Sequence, residues 1–173
     1  MVVETIASEF RKTRQLADRA IAQLTDVELH ARLDPEANSV AMLMAHMAGN
    51  MRSRWTDFLT TDGEKPWRTR DAEFEPPPLA RGDLVASWEA GWQVLFDTLA
   101  GLTDDDLTRP VMIRGEAQTA LAAMLRQVSH YAGHAHQIVL LAKHLKGAEW
   151  TVLSIPRGGS AAYTAASHGA GRP

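Results

Sequence analysis

The sequence predicts an all-α protein, on the strength of two observations. Four long segments carry apolar residues at every third or fourth position, which is the spacing of one face of a helix. Only one short stretch, residues 111–116, has the character of extended chain or of a hairpin. The elements are therefore expected to follow one another as helices joined by capped turns.

The first helix is predicted over residues 3–24, where the apolar positions form one broad stripe. Thr25 and Glu28 follow with the spacing of a capping box, in which each side chain binds the other residue's backbone N–H. This box opens a short turn, which Asp34 and Pro35 end.

The second long helix is predicted to begin at Asn38-Ser39, both typical N-cap residues, and to run through His46 and Trp55 to about Leu59. A charged connection then occupies residues 60–82, which is too long for a tight turn. Ordered connections of this length usually carry function or cover a site. We therefore expect a long crossover between the second and third long helices.

The third long helix is predicted over residues 83–99, and Gly101 supplies its natural stop. Thr119 caps the fourth, which continues to about Lys146. With these two helices the count of long helical segments reaches four.

Two similar phrases suggest that the chain consists of related halves. Residues 24–29 and residues 102–107 share the pattern LTxxxL, and each precedes a capped helix that carries histidine. A helix, a short turn and an inward-facing helix, repeated twice, would make a four-helix bundle over residues 1–150. The alternative is that LTxxxL is simply a common helix-stop phrase. Residues 151–173 are predicted to form a partly ordered tail.

The composition excludes several classes of protein. The chain has 173 residues, of which 45% are hydrophobic and 23% are charged, as in an ordinary globular domain. It has no cysteine, so it has no disulfide framework and no thiol nucleophile of its own. A net charge of −3 argues against a nucleic-acid surface, and no apolar run has the length of a membrane span. Charges near the N-terminus argue against a signal peptide, so we expect a cytoplasmic protein that acts on a small molecule.

Three histidines are the candidate metal ligands. His130 and His134 lie four residues apart on the fourth helix, which separates them by roughly 40° around the axis and about 6 Å along it. His46 lies centrally in the other strongly apolar helix, which a bundle would place opposite this pair. Three imidazoles with one open position are typical of a catalytic metal site. The alternative is that each histidine is a packed residue with one hydrogen bond.

The other four histidines are expected to lie away from this site. His136 is about 200° around the helix from His134, and His144 is roughly 21 Å along the axis from the His130 position. His30 and His168 fall in a predicted loop and in the tail.

At these residues the sequence resembles the DinB/YfiT-like metalloenzyme family over most of its length. The resemblance rests on MLMAHMAGN around His46 and on HxxxHxxQI, whose polar positions are His130, His134 and Gln137. The stretches DGEKPWRTRDAEF, IRGE and LSIPRGGS are similar to one branch of that family, known as a domain of unknown function. Many members have Arg-Gly after the second ligand, where this chain has Ala135-His136, so no role of that arginine carries over.

The resemblance implies a four-helix bundle with a long crossover, a divalent metal held by His46, His130 and His134, and a homodimer. It also implies a transferase that activates an external low-molecular-weight thiol on the metal. Nickel or zinc would suit imidazole ligands, and the sequence does not choose between them. Because a metal lowers the pKa of a bound thiol or water, this chemistry needs no cysteine in the chain.

Five further side chains are candidates for contacting the substrate: Asn50, Arg68, Arg70, Gln137 and Arg157. The arginines suit a carboxylate or a phosphate, although each is also explained by a surface ion pair. Gln137 is explained equally by a bond to a buried backbone group. Three functions stay open at this point: a thiol-dependent transferase, a metal-dependent hydrolase or isomerase, and a non-catalytic bundle that binds a metal or a partner.

Overall fold

The computed structural model describes residues 1–77 and 80–169, with side chains described as far as residue 166. Within these residues the chain is mostly helical, which confirms the predicted all-α class. The α-helices are α1 (Val2–Ile21), α2 (Asp26–His30), α3 (Val40–Trp55), α4 (Arg81–Ala100), α5 (Ala120–Lys146) and α6 (Ser160–Gly169). Short 3₁₀ helices cover Asp71–Phe74, Asp104–Thr108 and Gly147–Glu149, and an antiparallel hairpin joins β1 (Pro110–Ile113) to β2 (Glu116–Thr119). None of the helices in these ranges combines the length and apolar character that a membrane crossing requires.

The helix starts follow the capping residues. The Ser39 hydroxyl accepts a hydrogen bond from the Met42 backbone N–H at 3.2 Å, and the Thr119 hydroxyl accepts one from Ala122 at 3.2 Å. Each bond satisfies one of the free donors at a helix N-terminus. Both predicted N-caps of the histidine-bearing helices are thus confirmed, as is the end of α5 at Lys146.

Two helices end earlier than their apolar stripes predict. α1 ends at Ile21 and not at Leu24, because a tighter bond from the Leu24 N–H to the Ile21 carbonyl replaces the helical pattern. The prediction that the second long helix reaches Leu59 is wrong, since α3 ends at Trp55. Asp57 has a φ of 51°, in the left-handed region, and turns the chain away from the helix axis.

Both LTxxxL phrases form capped short helices. The Thr25 N–H donates to the Glu28 carboxylate at 2.7 Å, and the Thr103 N–H donates to the Asp106 carboxylate at 2.9 Å. Each short helix stands between a long helix and a histidine-bearing helix. The order of elements is therefore the same in the two halves, apart from the hairpin inserted in the second.

One aromatic cluster joins the four long helices, of which α1 packs mainly on α5 and α3 mainly on α4. Phe10 of α1 lies edge-on to Trp55 of α3, with ring centroids 5.5 Å apart. Tyr131 of α5 lies 5.7 Å from Phe10 and 5.9 Å from Trp92 of α4. All four side chains are buried, so the core fixes α3 and α5 relative to each other.

The crossover between α3 and α4 is fastened at its beginning to the hairpin. Arg114 and Gly115 adopt left-handed conformations at the hairpin turn, with φ of 56° and 75°. Their backbone N–H groups both donate to the Asp62 carboxylate, at 2.8 and 2.7 Å. The 3₁₀ helix Asp71–Phe74, farther along the crossover, packs against α3. The crossover therefore lies over the same helix that carries His46.

The segment after α5 docks on the end of α1. The Thr151 N–H donates to the Gln23 side-chain oxygen at 2.8 Å, and the Gln23 amide donates back to the Thr151 carbonyl at 3.1 Å. The tail then forms α6, which the sequence reading did not predict. The expectation of partial order at residues 170–173 lies outside the described residues.

Candidate metal centre

The three predicted histidines meet in space. His46 lies in the middle of α3, and His130 and His134 lie one turn apart on α5. The His130 Nε2 atom is 3.3 Å from His46 Nε2 and 3.0 Å from His134 Nε2. One ring nitrogen from each histidine lies within 4.8 Å of those of the other two. The helical spacing and the packing of α3 on α5 thus bring three imidazole nitrogens to one point.

The other ring nitrogen of each histidine faces an oxygen. His46 Nδ1 is 3.0 Å from a Glu73 carboxylate oxygen, and His134 Nδ1 is 2.8 Å from the Gln137 amide oxygen. His130 Nδ1 lies 3.4 Å from the Gln127 amide oxygen. Because these oxygens accept hydrogen bonds, they favour the tautomer with the proton on Nδ1. Three unprotonated Nε2 lone pairs then point towards one another.

This donor set fits a divalent metal. Two imidazole nitrogens that bind one ion at ~2.05 Å in tetrahedral geometry lie about 3.3 Å apart. The distances of 3.0 and 3.3 Å from His130 Nε2 to its two neighbours are close to that value. Facing lone pairs repel without a cation between them, whereas a metal ion converts the same arrangement into three bonds.

Burial keeps two of the rings neutral. Removal from water, together with the neighbouring charges of His134, His46 and two arginines, lowers the pKa of His130 to about 3. Burial also lowers the pKa of His134, and its bond to Gln137 only partly opposes this effect. Neutral imidazole is the form that binds a metal, so both rings are ready ligands at neutral pH.

Glu73, from the crossover, holds the His46 ring. Its carboxylate also accepts two hydrogen bonds from Arg68, at 2.8 and 2.7 Å. Burial alone would raise the pKa of Glu73, but the bonds from His46 and Arg68 outweigh it and keep the pKa below its usual value. A carboxylate in this position orients the ring and increases its basicity as a ligand.

Gly49 makes room for this carboxylate. A Cβ atom at position 49 would lie 2.1 Å from the Glu73 Oε1 atom, which no real contact allows. Gly49 stands three residues after His46 and therefore shares its face of α3. Glycine at this position leaves the space in which the Glu73 carboxylate contacts the His46 ring.

The sequence does not single out Glu73, and a surface ion pair is the alternative explanation that it offers for Arg68. The pair with Arg68 exists, but both side chains are largely buried, with 2% and 11% of their surface exposed. The available signals were a glycine one turn after His46 and an acidic residue within the crossover. Neither signal specifies a contact, because 27 residues separate Glu73 from His46 along the chain.

A cavity of about 300 Å³ opens beside the histidines. Its lining includes five arginines, two amides and one phenylalanine besides the three rings. The lining residues are His46, Asn50, Arg54, Arg68, Arg70, Phe74, Arg114, Arg126, Gln127, His130 and His134. The cavity is therefore strongly basic, although the whole chain has a net charge of −3.

Asn50 is held through its amide oxygen, and no residue that the structure describes accepts a hydrogen bond from its amide N–H₂. Trp55 Nε1 donates to the Tyr131 hydroxyl at 3.2 Å, and this hydroxyl donates to the Asn50 Oδ1 atom at 2.9 Å. Burial raises the pKa of Tyr131, so the hydroxyl keeps the proton that it donates. The bond orients Asn50, a buried residue that lines the cavity.

Two of the other candidate residues lie outside this cavity. Gln137 binds the far side of the His134 ring and does not line the cavity. Arg157 is exposed in the tail and is likewise absent from the lining.

The remaining histidines have the following places. His136 donates to the Ala132 carbonyl at 2.7 Å on the exposed side of α5, and His144 is exposed farther along the helix. His30 is the last residue of the short helix α2, where the sequence reading expected a loop. The side chain of His168 lies outside the described residues.

Comparison with known proteins identifies the family. The sequence matches the family described as Protein of unknown function (DUF1572) over residues 1–159, so the chain belongs to it. This match confirms the coarser expectation, a domain family of unknown function. No protein with a curated description matches the sequence. A solved structure, described as the crystal structure of the conserved protein of locus from Enterococcus faecalis, is similar in fold. Its TM-score is 0.64 at 16% sequence identity, and the match covers 83% of this chain and 96% of that one.

Proposed function

We propose that this member of the DUF1572 family is a divalent-metal-dependent enzyme and that His46, His130 and His134 are its metal ligands. The observation that carries the proposal is the convergence of three Nε2 atoms whose rings are each held from behind by an oxygen acceptor. Three protein ligands leave a coordination position open for a reactant. Nickel and zinc are the metals that this donor set suits best.

We propose further that the reaction is transfer to an external low-molecular-weight thiol. A bound divalent metal would supply the Lewis acidity that lowers the pKa of a thiol at neutral pH. The sulfur then forms a bond to an electrophilic carbon, the leaving group departs with its electron pair, and the thiol proton passes to solvent. The support is the open three-histidine site, a chain without cysteine, and the resemblance to DinB/YfiT-like metalloenzymes.

The chain's own residues contribute position and charge to this reaction. Glu73 and Gln137 hold two rings in the tautomer that binds metal, and Asn50 offers an amide donor to the reactant.

We also propose that the chain has the bundle architecture of the DinB/YfiT-like family, with four helices and a long crossover. The pairing of α1 with α5 and of α3 with α4 supports it.

Metal analysis followed by activity screening tests the proposal. Untagged protein is expected to hold about one divalent metal per chain. A panel of thiols and electrophiles, assayed with and without chelator, is then expected to give a thioether product that depends on both metal and thiol. Metal-dependent turnover without any thiol would identify a hydrolase or isomerase instead. Metal without turnover of any substrate would favour a non-catalytic metal-binding protein, and absence of metal would overturn the proposal.

The homodimer also remains a proposal. Three of the five tryptophans, Trp55, Trp88 and Trp92, are buried within the single chain and so give no support to an interface. The remaining support is the family resemblance, together with exposed apolar side chains on α5 such as Leu125 and Leu140. Sedimentation at micromolar concentration is expected to show a species of twice the 19.0 kDa chain mass. A single species of the chain mass would contradict it.

A further inference from the structure

We propose that the cavity selects a small substrate with a carboxylate or phosphate group and that Arg70 and Arg126 bind this anionic group. This inference rests on the proposed function for the identity of the reacting end. The anion site itself is defined by the arginines that line the cavity and by which of them already have partners. It can therefore be tested without turnover.

Three of the five arginines already have carboxylate partners. Arg68 binds Glu73 through two hydrogen bonds, and Arg54 and Arg114 both reach the Glu64 carboxylate, at 3.1 and 2.9 Å. These ion pairs hold the three guanidinium groups in place, so they form a fixed wall of the cavity. Among the arginines predicted from the sequence, Arg68 is thus committed to holding Glu73.

The other two arginines have charge to offer. Arg126 makes no ion pair or side-chain hydrogen bond with the described residues, although it lines a basic cavity. Arg70 lies 5.1 Å from the Phe74 ring centroid, and its nearest carboxylate, on the fully exposed Asp71, is 3.8 Å away. Stacking on an aromatic ring leaves the edge of a guanidinium free to bind an oxyanion in two-point fashion. The two groups come from different walls, Arg70 from the crossover and Arg126 from α5.

The helical register places Arg126 at a useful distance from the histidines. Arg126, His130 and His134 are spaced four residues apart on α5, so they form one row with steps of about 6 Å. A substrate of a few carbon atoms can therefore place its anionic end at Arg126 and its reacting end at the histidines. This RxxxHxxxH pattern is visible in the sequence and was the available signal for Arg126.

The size and the remaining donors of the cavity agree with such a substrate. A volume of about 300 Å³ is at the lower end of the range for small-molecule pockets. The amide N–H₂ of Asn50 adds a neutral donor between the charged groups and the core. A neutral apolar ligand would leave two guanidinium groups unpaired, whereas an anion satisfies them.

Binding of three small probes tests the proposal: glutarate, its uncharged analogue glutaramide, and inorganic phosphate. In calorimetric titrations of the metal-loaded protein, glutarate or phosphate is expected to bind, and glutaramide at least tenfold more weakly. Arg126→Gln and Arg70→Gln are each expected to weaken anion binding about ten- to a hundredfold, as for loss of a charge-assisted hydrogen bond. Lys143→Gln removes the same charge from an exposed position on α5 outside the cavity and is expected to change affinity less than twofold.

The result for phosphate and glutarate identifies which anion the arginines prefer, and equal affinity for glutaramide would overturn the proposal. Wild-type anion affinity in the Arg70→Gln, Arg126→Gln double variant would also overturn it. The same titrations on the His130→Ala protein separate this inference from the proposed function. If the metal-loaded wild-type protein turns over no thiol or electrophile, the proposed function fails. Arginine-dependent anion binding by the His130→Ala protein would then still support the anion site.

Discussion

The helices and the crossover contribute to the cavity in different ways. The three histidines lie on α3 and α5, whose relative position is set by the aromatic core. The His46 residue is buried, with 3% of its surface exposed. In the crossover, Glu73 binds both His46 and Arg68. The Arg70 side chain of the crossover is half exposed. The helices thus hold the three candidate ligands rigidly. The crossover orients the His46 ring through Glu73 and contributes the half-exposed Arg70 to the cavity. A rigid scaffold with a functional loop over it is a common division of roles.

The largest expected effect on metal affinity comes from substituting the three histidines on α3 and α5. His46→Ala, His130→Ala and His134→Ala should each reduce metal affinity more than about a hundredfold, because an ion with three protein ligands loses one of its few bonds. Metal content of the purified variants, measured by elemental analysis, checks this. His136→Ala and His144→Ala are the controls and should keep the wild-type content, since both side chains lie away from the site. Full occupancy in one of the three test variants would remove that histidine from the ligand set.

Breaking the crossover should have a smaller effect on the metal. Glu73→Gln is expected to lower metal affinity by about 10–100-fold, which is typical of an outer-shell partner of a ligating histidine. It should also destabilise the protein by about 1.5–3 kcal/mol, since it removes the close partner of buried Arg68 and leaves only the longer contact to Glu64, at 3.8 Å. Competition with a chelator measures the first quantity and denaturant unfolding the second.

The Glu73→Gln, Arg68→Gln double variant separates the two roles of this carboxylate. It should recover much of the stability, because no buried charge remains unpaired, yet metal affinity should stay low. Recovery of both quantities together would mean that Glu73 acts only through stability and does not orient His46.

Gly49 is the point at which α3 contacts the Glu73 carboxylate of the crossover, so a substitution there tests this contact. Gly49→Ala should displace the Glu73 carboxylate and lower metal affinity by up to about the 10–100-fold expected for Glu73→Gln. The two changes should not be additive, because they remove the same contact. Gly133→Ala is the matched control, since a Cβ on this α5 glycine meets nothing within 4 Å. It should leave metal affinity unchanged and stabilise the protein by about 0.5–1 kcal/mol. Equal metal affinities in the two variants would show that the approach of Glu73 to α3 is not needed.

The smallest effect on metal is expected from the core below the site. Tyr131→Phe removes the hydroxyl that links Trp55 to Asn50, and it should cost about 1–3 kcal/mol of unfolding free energy by leaving two polar groups unpaired. Metal content should stay at the wild-type level, because Tyr131 touches no candidate ligand nitrogen. Denaturation curves with a parallel metal assay distinguish the two quantities, and loss of metal in this variant would contradict the division between core and site.

Local sequence signals were sufficient for much of the fold. Ser39 and Thr119 marked the starts of the histidine-bearing helices, and Lys146 with Gly147 marked the end of α5. Helix ends were less well predicted where the backbone turns but the apolar stripe continues, as after Trp55. There the apolar stripe continues to Phe58 and Leu59, which pack on the core from a turn and not from a helix.

The sequence by itself determined that His130 and His134 share a helix face and that Arg126 precedes them on the same row. Such relations depend only on the helical repeat, which acts within a few residues. The tertiary structure alone decided that His46 meets this pair and that Arg68 binds Glu73. It also decided that Arg70 reaches only the exposed Asp71 and that Arg126 forms no ion pair with the described residues. These facts depend on the packing of α3 against α5 and on the path of the crossover. Both bring together groups far apart in the chain, and no local pattern encodes which of several possible ion pairs will form when the chain folds.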